Sequence, residues 1–145
     1  MAYLVASKGL PRYIKRYRRI FSWKRLANAV LVFASMAVSW MLRRPIVWGQ
    51  PLMIMVEPTN FCNLKCPLCP SGNGLMTRPR GNMSLDDFKG LVDQMADRAF
   101  MMMMWNQGEP YLNSCFNDMM QYAHAKGLFT FTSTDRKSTR LNSSH

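Results

Sequence analysis

The chain has 145 residues, 48% of them hydrophobic, and a formal net charge of +11. This length corresponds to about one domain, and the apolar content is sufficient for a packed core. Residues 1–44 hold ten Lys or Arg and no acid, whereas residues 45–134 hold six basic and seven acidic residues, which excludes a uniformly basic globule. The local basic block predicts either a surface that meets anionic lipid, nucleic acid or an acidic partner, or a solvated helix face.

The first 50 residues predict a helical segment. Residues 11–25 are basic and aromatic with helical spacing, and residues 26–42 form an uncharged run at the lower edge of the roughly 20 residues that span a bilayer. Three interpretations stay open for this run: a packed or interfacial helix, a spanning helix, or a signal peptide. Export would carry the cysteines into an oxidising space, so we expect a cytoplasmic protein and leave membrane association open. The aromatic and apolar residues among the cations favour a membrane surface over nucleic acid as the partner of residues 1–44.

From residue 51 onward, predicted strands alternate with predicted helices. A helix begins at Ser84, where Asp87 completes a capping box, and a second helix covers residues 114–126 with Gly127 as its stop. Alternating strands and helices predict parallel βαβ units with right-handed crossovers, hence an α/β barrel or open sheet. The predicted strands are residues 52–57 and 100–105, both expected to be buried, and residues 128–133. The loops between strand and helix are residues 59–83 and 106–113.

The last eleven residues, 135–145, read DRKSTRLNSSH. They are polar, lack periodicity, and are encoded in order by a common sequencing-adapter sequence. We therefore expect the native sequence to stop at Thr134 and the reading frame to be truncated there.

Three of the four cysteines lie in one short stretch, Cys62-Asn-Leu-Lys-Cys66-Pro-Leu-Cys69. Three thiolates from one loop can bind three irons of a cubane cluster and leave the fourth iron open to a further ligand. A zinc site is the main alternative, and it would usually need a fourth ligand nearby. Cys115 lies 46 residues further on and His124 falls within a predicted helix, so both are expected to be ordinary core or surface residues.

Residues 57–72, EPTNFCNLKCPLCPSG, resemble the cluster loop of the radical S-adenosylmethionine (SAM) enzymes, and Gly108-Glu109-Pro110 resembles the GGEP segment of that family. The resemblance implies that Cys62, Cys66 and Cys69 hold a 4Fe–4S cluster whose open iron chelates SAM. One electron from the cluster then cleaves SAM to a 5′-deoxyadenosyl radical that abstracts hydrogen from substrate. It also implies that Gly108, Glu109 and Pro110 bind the methionine amino group, for which a carboxylate is suited. No catalytic residue is assigned beyond the cluster.

The same resemblance implies an α/β fold that is the start of a partial (β/α)6 TIM-like barrel. The predicted domains are an N-terminal helical segment (residues 1–50), the first part of the barrel (51–134), and the non-native tail (135–145). Ser133 and Thr134 fall where the family often contacts the ribose or carboxylate of SAM. Two positions depart from the family pattern: Gln107 replaces the first glycine of GGEP, and Leu68 replaces an aromatic residue before the last cysteine.

The variant at residue 68 also occurs in family members that carry a C-terminal cluster-binding SPASM extension, which here would lie beyond Thr134. A flavodoxin- or ferredoxin-like electron donor is implied, and the substrate, a small molecule or a peptide, is left unidentified. Three strands of an unclosed parallel sheet leave an edge and a face uncovered, so we expect this chain by itself to be poorly soluble and inactive.

Overall fold

The structure, a computed structural model, describes residues 20–134. The predicted helical region before residue 20 and the expected adapter-derived tail, residues 135–145, lie outside the described residues. The described elements, in chain order, are α1 Trp23–Leu42, β1 Met53–Met55, α2 Pro70–Asn73, α3 Leu85–Met95, β2 Met101–Met103, a 3₁₀ turn Pro110–Leu112, α4 Phe116–Ala125 and β3 Phe129–Phe131.

The three strands form one parallel sheet in the order β1-β2-β3. Ile54 pairs in register with Met102, and Met102 with Thr130. The predicted parallel α/β architecture is therefore confirmed, whereas each strand is three residues long rather than the predicted six. Single hydrogen bonds extend the pairing beyond the strands, such as Met104 N–H to the Phe131 carbonyl at 2.9 Å.

Helices α3 and α4 cover one face of the sheet and enclose the core. Ser84 caps α3 by accepting a hydrogen bond from the Asp87 N–H at 3.1 Å, as predicted. Gly127 follows α4 with a φ of 79°, the left-handed conformation that ends helices. Fully buried residues from all layers form this core, including Phe88, Val92, Met102, Met104, Phe116, Met119 and Leu128.

The other face of the sheet is not covered by the described chain. Met53 and Met55 of β1 are 53% and 50% exposed, and Phe129 of β3 is 37% exposed. The first strand was expected to be buried, and this expectation is wrong for the uncovered face of the sheet. The reason is that β1 is an edge strand of the described sheet and helices pack on only one side of it. The prediction of an uncovered face holds for the part of the chain that the structure describes.

Helix α1 begins three residues earlier than predicted. Ser22 is its N-cap, accepting a hydrogen bond from the Arg25 N–H at 3.3 Å, so no boundary separates residues 25 and 26. The helix ends at Leu42, where Arg43 takes a left-handed conformation with a φ of 50°. The predicted loop 59–83 also contains the short helix α2, which sequence periodicity did not indicate.

Candidate functional site

The two loops with predicted chemistry, residues 59–83 and 106–113, follow β1 and β2 and meet beyond the carboxyl ends of these strands. They are joined where the Glu109 N–H donates to the Phe61 carbonyl at 2.8 Å. Parallel strands place the loops that follow them at one end of the sheet. The structure thus brings the cysteine loop and the Gly108-Glu109-Pro110 segment together.

Gly108 allows the two loops to approach this closely. Its φ is +84°, and a Cβ at this position would stand 2.3 Å from the Thr59 carbonyl oxygen and 2.8 Å from the Phe61 carbonyl oxygen. Both atoms belong to the backbone, so no side-chain rotation relieves the contact. Any residue other than glycine must therefore separate the loops.

Glu109 carries a buried carboxylate at this junction. The residue is 2% exposed, and its Oε1 accepts from Thr134 Oγ1 at 2.8 Å and from the Tyr111 N–H at 3.3 Å. Thr134 follows β3, so three successive strand ends contribute to one site. Ser133, the other residue expected here, is exposed, and Pro110 is buried at the start of the 3₁₀ turn.

A second set of polar contacts joins the same two loops through Glu57. The sequence indicates Glu57 either as a strand-end residue that accepts from loop amides or as a site residue, but it did not predict the partners. Glu57 forms an ion pair with Arg78, whose guanidinium also donates to Gln107 Oε1 at 3.3 Å. The Gln107 N–H in turn donates to Glu57 Oε2 at 3.1 Å. Sequence spacing carries no signal for a contact between residues 57, 78 and 107, because residue 57 is 21 positions from residue 78 and 50 positions from residue 107. Gln107, the departure from the family glycine, thus helps to join the loops.

The cysteine loop presents three free thiols: Cys62 and Cys69 are half-buried and Cys66 is exposed. Within the loop, the Cys69 N–H donates to the Cys66 carbonyl at 3.2 Å. The side chain of Asn60 closes the base of the loop by donating to the Pro79 carbonyl at 2.8 Å and accepting from the Gly81 N–H at 2.7 Å.

Three thiols in one loop can bind either a cluster or a single ion. Between residues 20 and 134, no three His, Cys, Asp or Glu side chains lie close enough together to hold one metal ion. In a cubane each thiolate binds a different iron, so the sulfurs stand further apart than around a single ion. Cys115 precedes α4 and packs against the core, and His124 is exposed on α4. Between residues 20 and 134, neither residue therefore joins the three cysteines as a fourth ligand.

The surroundings of the loop also fit a bound group. A cavity of about 500 Å³ beside Cys62 is lined by Lys65, Ser71, Gly72 and Arg80, among others. The Ser71 hydroxyl is buried with no hydrogen-bond partner in the described chain. A Cβ on Gly72 would stand 2.8 Å from the Cys66 nitrogen, so the short helix α2 packs tightly on the cysteine backbone. A buried polar atom without a partner is typical of a site completed by a ligand.

Comparison with known proteins identifies PqqA peptide cyclases as relatives. The chain is 26% identical over 83 residues to that of Bradyrhizobium diazoefficiens, covering 57% of this chain and 22% of the relative. It is 30% identical over 80 residues to that of Xanthomonas euvesicatoria pv. vesicatoria, covering 55% and 21%, and 28% identical over 83 residues to that of Rhodopseudomonas palustris, covering 57% and 22%. The chain spans about a fifth of the length of the curated relatives it matches.

A solved structure shares the fold. The crystal structure of BtrN in complex with AdoMet and 2-DOIA matches with a TM-score of 0.55 and 24% identity, covering 65% of this chain and 41% of that one. No family model matches the chain. PqqA peptide cyclases and BtrN are radical SAM enzymes that use a 4Fe–4S cluster and S-adenosylmethionine. The resemblance to radical SAM enzymes is therefore confirmed.

Proposed function

We propose that this relative of the radical SAM enzymes is the N-terminal part of such an enzyme, with Cys62, Cys66 and Cys69 as the cluster ligands. The single observation that carries the proposal is the hydrogen-bonded junction between the cysteine loop and the loop that holds Glu109. This junction places the loop with the three cysteine thiols and the buried carboxylate of Glu109, which are distant in sequence, at the same end of the parallel sheet. The whole enzyme would complete a TIM-like barrel from the three strands described here, which is supported by the likeness to BtrN.

The proposed roles follow from the chemistry of each side chain. The cysteines would hold the cluster, which when bound supplies the electron that cleaves SAM to the radical used for hydrogen abstraction. Glu109 would bind the methionine ammonium through a charge-assisted hydrogen bond, which is strong in a site shielded from water. Thr134 donates to one oxygen of that carboxylate and thereby holds its orientation. Gly108 would keep the carboxylate close to the cysteine loop.

For the substrate we propose a peptide, by analogy with the relatives named PqqA peptide cyclase. A flavodoxin- or ferredoxin-like protein would supply the electron, and a SPASM extension would lie in the part of the relatives' length that this chain does not span. A cytoplasmic location remains part of the same proposal, since reduced thiols and a reduced cluster need a reducing compartment.

The test is anaerobic iron–sulfur reconstitution of the protein expressed from its complete reading frame, followed by reduction in the presence of SAM. We expect 5′-deoxyadenosine as a product. Glu109→Gln should weaken SAM binding while the iron content is unchanged, because the ammonium loses its counter-charge. One equivalent of zinc without iron–sulfur absorption, or a well-formed cluster that never cleaves SAM, would contradict the proposal.

A further inference from the structure

Helix α1 is oriented with its polar residues towards the domain and its apolar residues towards solvent. Arg25, Asn28 and Ser35 are 3%, 2% and 4% exposed, whereas Trp40 is 86% exposed. A helix that packs on a water-soluble domain normally has the opposite arrangement. The exposed apolar residues, which we call the outer face of α1, include Trp23, Leu26, Val30, Phe33, Trp40 and Met41.

Arg25 attaches the first turns of α1 to the ends of α3 and α4. Its guanidinium donates to the carbonyls of Ala96 at 2.8 Å, Lys126 at 2.9 Å and Gly127 at 2.7 Å. Carbonyls at helix C-termini lack partners within the helix and attract cations. Burial lowers the pKa of Arg25, and the nearby Asp97 carboxylate acts in the opposite direction. This attachment uses the polar side of α1 and leaves the outer face clear of the domain.

The segment that follows α1 runs back along the helix and fixes it further. The Asn28 side chain donates to the Gln50 carbonyl at 3.0 Å and accepts from the Gln50 N–H at 2.8 Å. Ser39 Oγ bonds both backbone groups of Ile46, at 2.9 and 3.0 Å. A Cβ on Gly49 would meet Val32 Cγ2 at 2.4 Å, so the contact is close. Helix and return segment therefore form one unit with the outer face on its surface.

We propose that the outer face of α1 binds the surface of an anionic membrane, with the helix lying in the membrane plane. The outer face supplies apolar area that includes two tryptophans, and the exposed Arg43 and Arg44 directly follow the helix. In sequence, residues 1–44 contain ten Lys or Arg and no acid. Apolar insertion together with cationic attraction is the combination by which interfacial helices bind anionic lipid. This inference stands on α1 alone and does not depend on the proposed cluster chemistry.

A membrane span is disfavoured by the same contacts. The length and composition of α1 alone would allow it to cross a bilayer, as they would for a core helix or a signal sequence. However, the return segment that packs along α1 would enter the bilayer with the helix. The backbone N–H groups of Val47, Trp48 and Gly49 in this segment have no hydrogen-bond partner in the described chain, and transfer of such groups into hydrocarbon is costly in free energy.

Charge also favours lipid over a second copy of the chain. A second copy seated on the outer face would add its own exposed Arg43 and Arg44, and α1 contains no acid to offset them. Anionic headgroups would instead neutralise Arg43 and Arg44 at the C-terminal end of α1. Because α1 contacts residues 96–98 and 126–127, which precede β2 and β3, the membrane would face the end of the sheet opposite to the cysteine loop.

The test is vesicle flotation of the protein expressed from its complete reading frame. We expect strong binding to mixed phosphatidylcholine–phosphatidylglycerol vesicles, little to phosphatidylcholine alone, and release by high salt or alkaline carbonate. Trp40→Asp should reduce binding at least about tenfold, because it places a charge within the inserted face. The double variant Arg43→Gln, Arg44→Gln should reduce it by roughly fivefold per arginine.

The matched control is Asn117→Asp, which adds the same charge on the exposed surface of α4 and should leave flotation unchanged. Since the substituted side chains are exposed, thermal unfolding of every variant should match that of the parent protein. Three results would overturn the inference: equal binding to both vesicle types, retention after carbonate extraction as for a span, or a dimer in light scattering that Trp40→Asp converts to a monomer.

Discussion

Gly108→Ala tests the close approach of the two loops most directly. The methyl group would lie 2.3 Å from the Thr59 carbonyl oxygen, whereas a relaxed contact needs roughly 1 Å more. Moving the loops apart by that amount stretches the 2.8 Å hydrogen bond between the Glu109 N–H and the Phe61 carbonyl beyond the usual limit. The substitution therefore acts on stability and on the proposed SAM site together.

The expected cost follows from two physical contributions. An L residue at a φ of +84° loses roughly 1–2 kcal/mol relative to glycine. The broken backbone hydrogen bond adds about 0.5–1.5 kcal/mol. We therefore expect the free energy of unfolding to fall by about 1.5–3.5 kcal/mol.

Urea unfolding, combined with hydrogen exchange at the Glu109 amide, measures both effects. Two other glycines separate the contributions: Gly74 has a φ of +80° but no atom within 4 Å of the position that a Cβ would take, and Gly90 has neither constraint. Gly74→Ala should cost roughly 1–2 kcal/mol, and Gly90→Ala in the exposed part of α3 should stabilise by up to about 1 kcal/mol. If Gly108→Ala costs no more than Gly74→Ala, or if the Glu109 amide keeps its protection, the argument from close approach is wrong.

Three further outcomes are expected. Cys66→Ala should abolish cluster reconstitution, measured as bound iron, while Cys115→Ala leaves it unchanged because that thiol packs against the core. Thr134→Val should weaken SAM binding by roughly tenfold, measured by equilibrium dialysis, since a hydrogen bond to the charged Glu109 is lost. The Lys24 ammonium lowers the pKa of Asp97. The ion pair therefore contributes fully to the stability of the folded protein above the ordinary Asp pKa of about 4. That contribution is lost as the pH falls through the lower pKa that Asp97 has in the folded protein. The stability difference between the parent protein and Asp97→Asn should accordingly shrink on acidification, and a difference that is constant with pH would contradict the assignment.

The local elements could be predicted well from the sequence because their signals are local. The Ser84 cap and the stop at Gly127 depend on residues within one or two turns of each other. The strand lengths and the exposure of β1 could not be predicted, because they depend on which neighbours each strand finds across the sheet. The junction of Glu57, Arg78 and Gln107 was missed for the same reason.

The sequence by itself determined the order of strands and helices, the cysteine trio and the carboxylate that follows the second strand. Only the tertiary structure decided that Glu109 is buried beside Thr134 and bonded to the cysteine loop, and that α1 turns its polar residues inward. The physical reason is that helix periodicity reports which residues share a face but not which face meets the domain. Three backbone carbonyls of the domain, those of Ala96, Lys126 and Gly127, accept from the Arg25 guanidinium and settle that choice for α1, and no local pattern encodes them.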